Sequence, residues 1–181
     1  METDRFQRAI AAIDATNADD PYDKELRHSE LATKWVRRLR PDAGEALLLA
    51  ARAHHIRRWA IPRASYPEGR AGYLRWRRDL QRAHSDDVSR ILAAEGYDDA
   101  TIARVQDIVR KRNLTHDPEV QAFEDALCLI FVEDQLEEFS SRVDEAKLAD
   151  IVEKTLAKMS PEGRRLVNDL LSRSDERSHS D

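Results

Sequence analysis

The sequence predicts an all-α protein, built as a single-domain bundle of seven or eight helices. Apolar residues recur at helical spacing in most segments, and no segment alternates between apolar and polar residues as a half-buried strand does. The chain has 181 residues, of which 36% are charged and only 5 are Gly and 6 Pro, too few turn residues for a many-stranded β fold. We expect one helical domain over residues 1–172, followed by a polar tail over residues 173–181.

The first three helices are predicted from apolar spacing and from residues that start or stop a helix. The first covers residues 5–15, where apolar side chains fall at spacings of three and one. The second covers residues 23–39, with Asp23 as its N-cap. The third restarts at Pro41 and Asp42 and closes with two histidines. Its middle is apolar on most sides, which is typical of a helix at the centre of a domain.

The later helices follow a loop over residues 60–72, which contains two prolines and two glycines. A long helix is predicted over residues 73–95, where Gly96 ends it. The next helix runs from a cap at Asp98 or Asp99 to about residue 112. Further helices are predicted over about residues 117–139, over residues 143–159, and over a short segment that opens at residues 160–162.

Several classes of protein are excluded by simple counts. A single cysteine, Cys128, excludes an internal disulfide framework and a cysteine-rich zinc module, and its leucine neighbours favour a small core residue. The longest apolar run, residues 46–51, is far shorter than the ~20 residues that span a bilayer. The first residues lack the pattern of a secretory signal. We therefore expect a cytoplasmic protein without a membrane partner.

Charge is distributed unevenly along the chain, whose net charge is −5. Residues 51–82 hold nine arginines and two acids, a net charge of +7, whereas residues 117–181 hold 17 acids and 8 bases, a net charge of −9. The basic segment predicts either an anion site, for a phosphate group, or a set of arginines paired with the acidic helices. The two interpretations are compatible.

Four histidines and one aspartate indicate a metal site. His28, His54, His55 and His84 lie on or at the ends of consecutive predicted helices, and Asp125 lies on a strongly apolar helix, where a carboxylate needs a partner. Each could instead be an ordinary hydrogen-bonded residue, with Asp125 facing an arginine. Their order along a bundle favours a metal site, and such ligands suit Mn, Fe, Ni or Zn.

Four short segments resemble the HD-domain superfamily, all-helical metal-dependent phosphohydrolases with ligands in the order H…HD…D. They are residues 27–30 (RHSE), 49–56 (LAARAHHI), 83–85 (AHS) and 124–127 (EDAL). The resemblance implies an HD-like core over about residues 23–135.

The resemblance also implies roles for individual residues. The metal ligands would be His28, His54, His55 and Asp125. His84 would be a further ligand or an acid–base group, and Glu124 would orient a ligand. His55 stands where the HD pattern has an aspartate, and residues 110–112 (RKR) stand where binuclear members have a further histidine, so we expect one metal ion.

The segment between His55 and His84 is predicted to bind the substrate, a small phosphorylated molecule rather than a nucleic acid. Its candidate ligands for phosphate and for a stacked ring are Arg57, Arg58, Arg70, Tyr73 and Arg77. The alternatives are that Trp59 and Trp76 are core anchors among surface arginines, and that Arg58 and Arg78 pair with Glu133 or Asp134.

A longer match identifies a second family. Residues 50–59 (AARAHHIRRW), 61–63 (IPR), 65–67 (SYP) and 70–77 (RAGYLRWR) are similar to domain-of-unknown-function family 4202, and the likeness covers nearly the whole chain. It implies membership of that family and no particular activity.

The leading functional hypothesis is a metal-dependent phosphohydrolase that acts on a nucleotide or another small phosphate ester. One alternative is an iron-dependent oxygenase of HD type. Another is a non-catalytic module that binds a nucleotide or a protein through a degenerate site. The literal His116-Asp117 pair precedes a proline, and we interpret it as a helix cap rather than as a ligand pair.

Overall fold

The computed structural model of the protein describes residues 4–178, with side chains described as far as Ser172. Within that range it contains helices and no strand, so the all-α class is confirmed. The helices are α1 (Asp4–Ala18), α2 (Glu25–Leu39), α3 (Glu45–Arg52), α4 (Gly69–Ala94), α5 (Asp99–Val109), α6 (Pro118–Ile130), α7 (Leu136–Ser140), α8 (Glu145–Ala157) and α9 (Pro161–Ser178). Short 3-10 turns cover Arg58–Ala60 and Arg63–Ser65, and a π-helical turn, Phe131–Gln135, separates α6 from α7.

Helix α3 lies at the centre of the bundle, as its all-round apolar sequence predicts. Leu47, Leu49, Ala50 and Ala51 are fully buried, and α1, α2, α5 and α6 pack around them. Helix α2 also packs along α6. The N-terminal part of α2, the end of α3 and the C-terminal part of α6 therefore meet on one side of the core.

The end of α3 differs from its predicted position. The helix stops at Arg52, and the chain continues as a turn that carries His54 and His55 and then places Arg57 in the left-handed region at φ 53°. Because of this turn, His54 and His55 lie outside the helix, at the edge of the core.

The start of α2 is fixed by a different residue from the predicted one. Asp23 has φ 54° and does not cap the helix. Instead, the Asp20 carboxylate accepts hydrogen bonds from the backbone N–H groups of Lys24 (2.9 Å) and Glu25 (3.1 Å), two of the donors that a helix start leaves free. This cap places Glu25 in the first turn of α2.

Two other predicted caps are confirmed. The Asp98 carboxylate accepts the backbone N–H of Thr101 at 2.8 Å, at the start of α5. The Asp117 carboxylate accepts the N–H groups of Glu119 (3.0 Å) and Val120 (3.2 Å), at the start of α6. The His-Asp pair at 116–117 is therefore a helix cap.

The C-terminal helices also differ from the prediction. The helix expected over 117–139 is interrupted by the π-helical turn, and α9 runs to Ser178, well into the segment predicted as a polar tail. Residues 179–181 lie outside the described residues. No helix in the described range combines the length and the apolar character that crossing a membrane requires.

Candidate metal centre

Three side chains from two elements converge on one point, and we call them the metal triad: Glu25, His28 and His55. Glu25 and His28 lie three residues apart on one face of α2, and the turn after α3 brings His55 to them. Glu25 Oε2 lies 3.4 Å from His55 Nδ1 and 3.8 Å from His28 Nδ1. One ligand atom from each residue lies within 4.8 Å of the other two.

The same three atoms are buried and have no hydrogen-bond partner among the described residues. They are Glu25 Oε2, His28 Nδ1 and His55 Nδ1, and their side chains are 10%, 12% and 27% exposed. A buried polar atom left without a partner typically costs ~1–3 kcal/mol. Three such atoms that face one another form a donor set that a single cation would satisfy.

Asp134 contacts the ring nitrogen of His28 that does not face Glu25. Asp134 Oδ2 lies 2.9 Å from His28 Nε2, and the same carboxylate pairs with Arg27. When Nε2–H donates to Asp134, the lone pair on Nδ1 faces Glu25, the arrangement by which a carboxylate orients a histidine ligand. Asp134 lies in the π-helical turn, a feature that is frequent at functional sites.

The two triad histidines differ in electrostatic environment. The carboxylate of Glu25 raises the pKa of His28, burial opposes this, and Asp134 adds to the rise. Burial lowers the pKa of His55 well below its ordinary value, with the Arg58 charge acting in the same direction. His55 is therefore neutral at physiological pH, the form in which imidazole binds a metal.

His54 lies behind His55 and outside the triad. Its ring is buried 4.1 Å from that of His55, and its Nδ1 lies 3.0 Å from the Ala51 carbonyl oxygen. Burial lowers its pKa well below the ordinary value. The turn thus directs only the second histidine of the pair to Glu25 and His28.

His84 approaches the triad from α4. Its ring lies 5.9 Å from that of His55, and its Nδ1 lies 2.7 Å from the Ile56 carbonyl oxygen. Its Nε2 is buried, and no described residue forms a hydrogen bond with it. Burial lowers the pKa of His84 to about 4, so the ring is neutral and Nε2 is a hydrogen-bond acceptor.

The structure does not bring Asp125 into the triad. Its carboxylate accepts hydrogen bonds from Gln121 Nε2 (2.9 Å), the Ser160 N–H (3.0 Å) and Ser160 Oγ (2.5 Å). These contacts tie α6 to the start of α9, where Gly163 packs against the same carboxylate. The predicted ligand is therefore a structural residue, because its side chain points to α9.

Glu124 points away from Asp125, since adjacent helical residues diverge by about 100°. The Glu124 carboxylate is buried and pairs with Lys111 and with Lys158, whose Nζ lies 2.9 Å from Oε1. Burial raises the pKa of Glu124, but the two ammonium groups outweigh this and lower it to about 2. Its partners are these lysines rather than a residue of the triad.

Two cavities adjoin the triad. The metal-site cavity, about 380 Å³, is lined by Glu25, His28, His55 and Asp134 among others. The basic pocket, about 250 Å³, is lined by four cations and one acid: Arg58, Arg77, Lys111, Lys158 and Glu124. Both cavities share walls formed by His55, Arg58, Phe131 and Gln135.

Arg58 stands between the two cavities. Its guanidinium lies 4.9 Å from the centre of the Trp76 ring, and burial lowers its pKa. Trp76 is itself buried and donates its indole N–H to the Ile61 carbonyl, as a core anchor would, whereas Trp59 is only partly buried. No carboxylate among the described residues forms an ion pair with Arg58, whose charge is available to a ligand.

The other predicted substrate residues divide into two groups. Tyr73 and Arg77 line the basic pocket with Arg58. Arg57 and Arg70 are exposed and line neither this pocket nor the metal-site cavity, and Arg57 lies 3.9 Å from Asp87.

The predicted pairing of Arg58 or Arg78 with Glu133 or Asp134 is wrong. Glu133 pairs with Lys34 and accepts the Trp35 indole N–H, and Asp134 pairs with Arg27 and His28. These acids are turned towards α2, whereas the arginines lie after α3 and on α4.

Sequence reasoning missed Glu25, Asp134 and Lys158. The Glu25–His28 spacing of three residues was a visible signal, but an acid in the first turn of a helix is common for electrostatic reasons alone. Asp134 lies in an acidic stretch of the sequence. The π-helical turn that orients its side chain has no recognisable sequence signal. Cys128 is buried and beside Glu124, as a small core residue should be.

Comparisons with known proteins identify the family of the chain but no individual relative. No curated protein matches the chain, and no solved structure matches it. The family described as "Domain of unknown function (DUF4202)" matches residues 7–179, which is nearly the whole chain. The protein therefore belongs to the DUF4202 family.

Proposed function

We propose that the protein is a metal-dependent phosphohydrolase that acts on a nucleotide or another small phosphate ester. The observation that carries the proposal is the convergence of three buried atoms without hydrogen-bond partners, on Glu25, His28 and His55. Beside them, Arg58, which has no acidic partner among the described residues, offers its charge to a phosphate group.

The donor set fits a divalent transition metal. Two imidazole nitrogens and one carboxylate oxygen suit Zn, Fe, Mn or Ni. Around a tetrahedral ion with bonds of about 2.0–2.1 Å, neighbouring ligand atoms lie roughly 3.3–3.4 Å apart. The separations from Glu25 Oε2, 3.4 and 3.8 Å, are close to that value. A bound ion would polarise a phosphoryl oxygen and lower the pKa of water.

The chain supplies the remaining functions. Arg58, which lies against Trp76, presents its fork of N–H donors to the phosphoryl oxygens. Asp134 orients His28 for binding. We assign His84 the role of orienting water, because it lines a cavity of about 30 Å³ beside His55, enough for one water molecule, with Nε2 as the acceptor.

A screen for phosphate release tests this proposal. The purified chain, supplied in turn with Mn, Fe, Ni and Zn, should release phosphate from nucleotides or small phosphate esters with at least one of these ions. His28→Ala should abolish the release, and Arg58→Met should raise KM at least tenfold. His116→Ala, an exposed histidine beside a helix cap, is the control and should act as the wild type. No release with any of these ions would contradict the proposal.

The donor set also favours a second candidate, an iron-dependent oxygenase. Two histidines and one carboxylate form the set that holds non-haem Fe(II) in many oxygenases. A protein that is purified with iron and consumes oxygen, without releasing phosphate, would support this candidate. A chain that binds no metal at all would favour a non-catalytic binding module instead.

A further inference from the structure

The basic pocket contains a buried ion triplet that the proposed chemistry does not use. The Glu124 carboxylate lies between the ammonium groups of Lys111 and Lys158. Its side chain is 3% exposed, whereas those of the lysines are 17% and 45% exposed. The lysines therefore reach the open part of the pocket while their counter-ion stays below them.

The pocket carries more positive charge than its own acid can balance. Four cations, on Arg58, Arg77, Lys111 and Lys158, line it with Glu124 as the one acid in its described lining. Three positive charges in a cavity of about 250 Å³ remain for a ligand, and an arrangement of this kind concentrates anions.

The backbone conformation at Lys111 also favours a pocket lined by cations. Lys111 has φ 55°, a left-handed conformation that is uncommon for a residue other than glycine. That conformation follows directly after α5 and turns the Lys111 ammonium inward to Glu124, where burial lowers the pKa of Lys111. Lys158 reaches the same carboxylate from the end of α8, so two separate elements supply the pair.

The position of the pocket relates it to the metal triad. Its wall of His55 and Arg58 is also a wall of the metal-site cavity. A phosphate group at Arg58 can therefore belong to a molecule that continues into the basic pocket. A substrate with a single phosphate would leave the charges on Lys111 and Lys158 without a ligand.

We propose that the basic pocket is a second anion subsite, and that the substrate is a small molecule with two phosphate groups. One phosphate lies at the metal triad and Arg58, and the other binds Lys111, Lys158 and Arg77. The identity of the substrate rests on the proposed function, whereas the anion subsite rests on the pocket alone.

The test is calorimetric titration of the full chain with inorganic phosphate and with inorganic pyrophosphate. Because pyrophosphate carries two phosphate groups in one molecule, the proposal predicts that it binds at least tenfold more tightly than phosphate. Lys158→Met should remove that advantage. Lys154→Met, on the exposed surface of α8 and paired with Asp150, is the matched control and should leave it intact.

A second variant should change the affinity for pyrophosphate in the opposite direction. Glu124→Gln removes the internal anion that competes for the two lysines, so it should tighten pyrophosphate binding severalfold. Equal affinity of the wild type and Lys158→Met for pyrophosphate would overturn the second subsite, as would an absence of pyrophosphate binding.

Metal content, measured on the same samples before and after titration, separates the two proposals. Lysine-dependent pyrophosphate binding by a chain that binds no metal, even after incubation with Mn, Fe, Ni and Zn, would support the anion subsite and contradict the phosphohydrolase. A metal-loaded chain that shows no lysine dependence would overturn the subsite alone.

Discussion

The roles of Glu124 and Asp125 depend on the direction in which each side chain leaves α6. Asp125 has both carboxylate oxygens occupied by hydrogen bonds from Gln121 and Ser160. Glu124 holds two lysines one position earlier. Both are buried acids on an apolar helix, and each is held by partners outside the metal triad. Burial of an acid indicates that it has a partner, and only its contacts identify the partner.

Gly163→Ala tests the structural role of Asp125. A Cβ at position 163 would lie 2.7 Å from Asp125 Cγ, so the carboxylate must move and its hydrogen bonds to Ser160 must weaken. We expect a loss of ~1–3 kcal/mol in the free energy of unfolding, measured by denaturant titration. Gly44→Ala is the steric control, because no described residue other than its chain neighbours has an atom within 4 Å of a Cβ there. Equal stability of the two variants would contradict this role.

The elements were predictable where a local rule decides them. The apolar α3, the caps at Asp98 and Asp117 and the end of α4 before Gly96 follow from spacing and cap residues. The turn after α3 and the π-helical turn after α6 were not predictable, because tertiary packing fixes them. These two turns orient His55 and Asp134. The positions of these two side chains are therefore the part of the site that could not be predicted from the sequence.

The start of α6 gives a prediction about pH. Asp117 accepts two backbone N–H groups and pairs with Arg104. Arg104 lowers the pKa of Asp117, burial opposes this, and the backbone hydrogen bonds help bring the value to about 2. The charged form is therefore favoured by folding. Its stabilisation is complete above the ordinary carboxyl pKa and is lost as the pH falls towards 2.

Asp117→Asn removes this charge and tests the predicted direction in which stability changes with pH. It should lower the free energy of unfolding at neutral pH by ~1 kcal/mol, because Asn still caps a helix but no longer pairs with Arg104. The difference from the wild type should shrink between pH 5 and about pH 2, as measured by denaturant titrations across that range. Asp99→Asn, at an exposed position in the first turn of α5, is the control. A difference that grows as the pH falls would contradict the assignment.

At the scale of the molecule, two cavities of different charge meet at one junction. The lining of the metal-site cavity contains four acids and four bases, whereas that of the basic pocket contains four bases and one acid, and His55 and Arg58 belong to both. The chain as a whole is acidic, at −5, so the basic pocket is a local exception that favours entry of an anion. Helix α8 forms its outer wall through Ile151 and Thr155.

The central claim is that Glu25, His28 and His55 bind one metal ion. Elemental analysis of the purified chain, beside Glu25→Gln and Asp125→Asn, tests it most directly. We predict one equivalent of Mn, Fe, Ni or Zn per chain in the wild type, loss of the metal in Glu25→Gln, and retention in Asp125→Asn. A wild type without metal, even after incubation with each ion, or a Glu25→Gln variant that keeps its full equivalent, would contradict the claim.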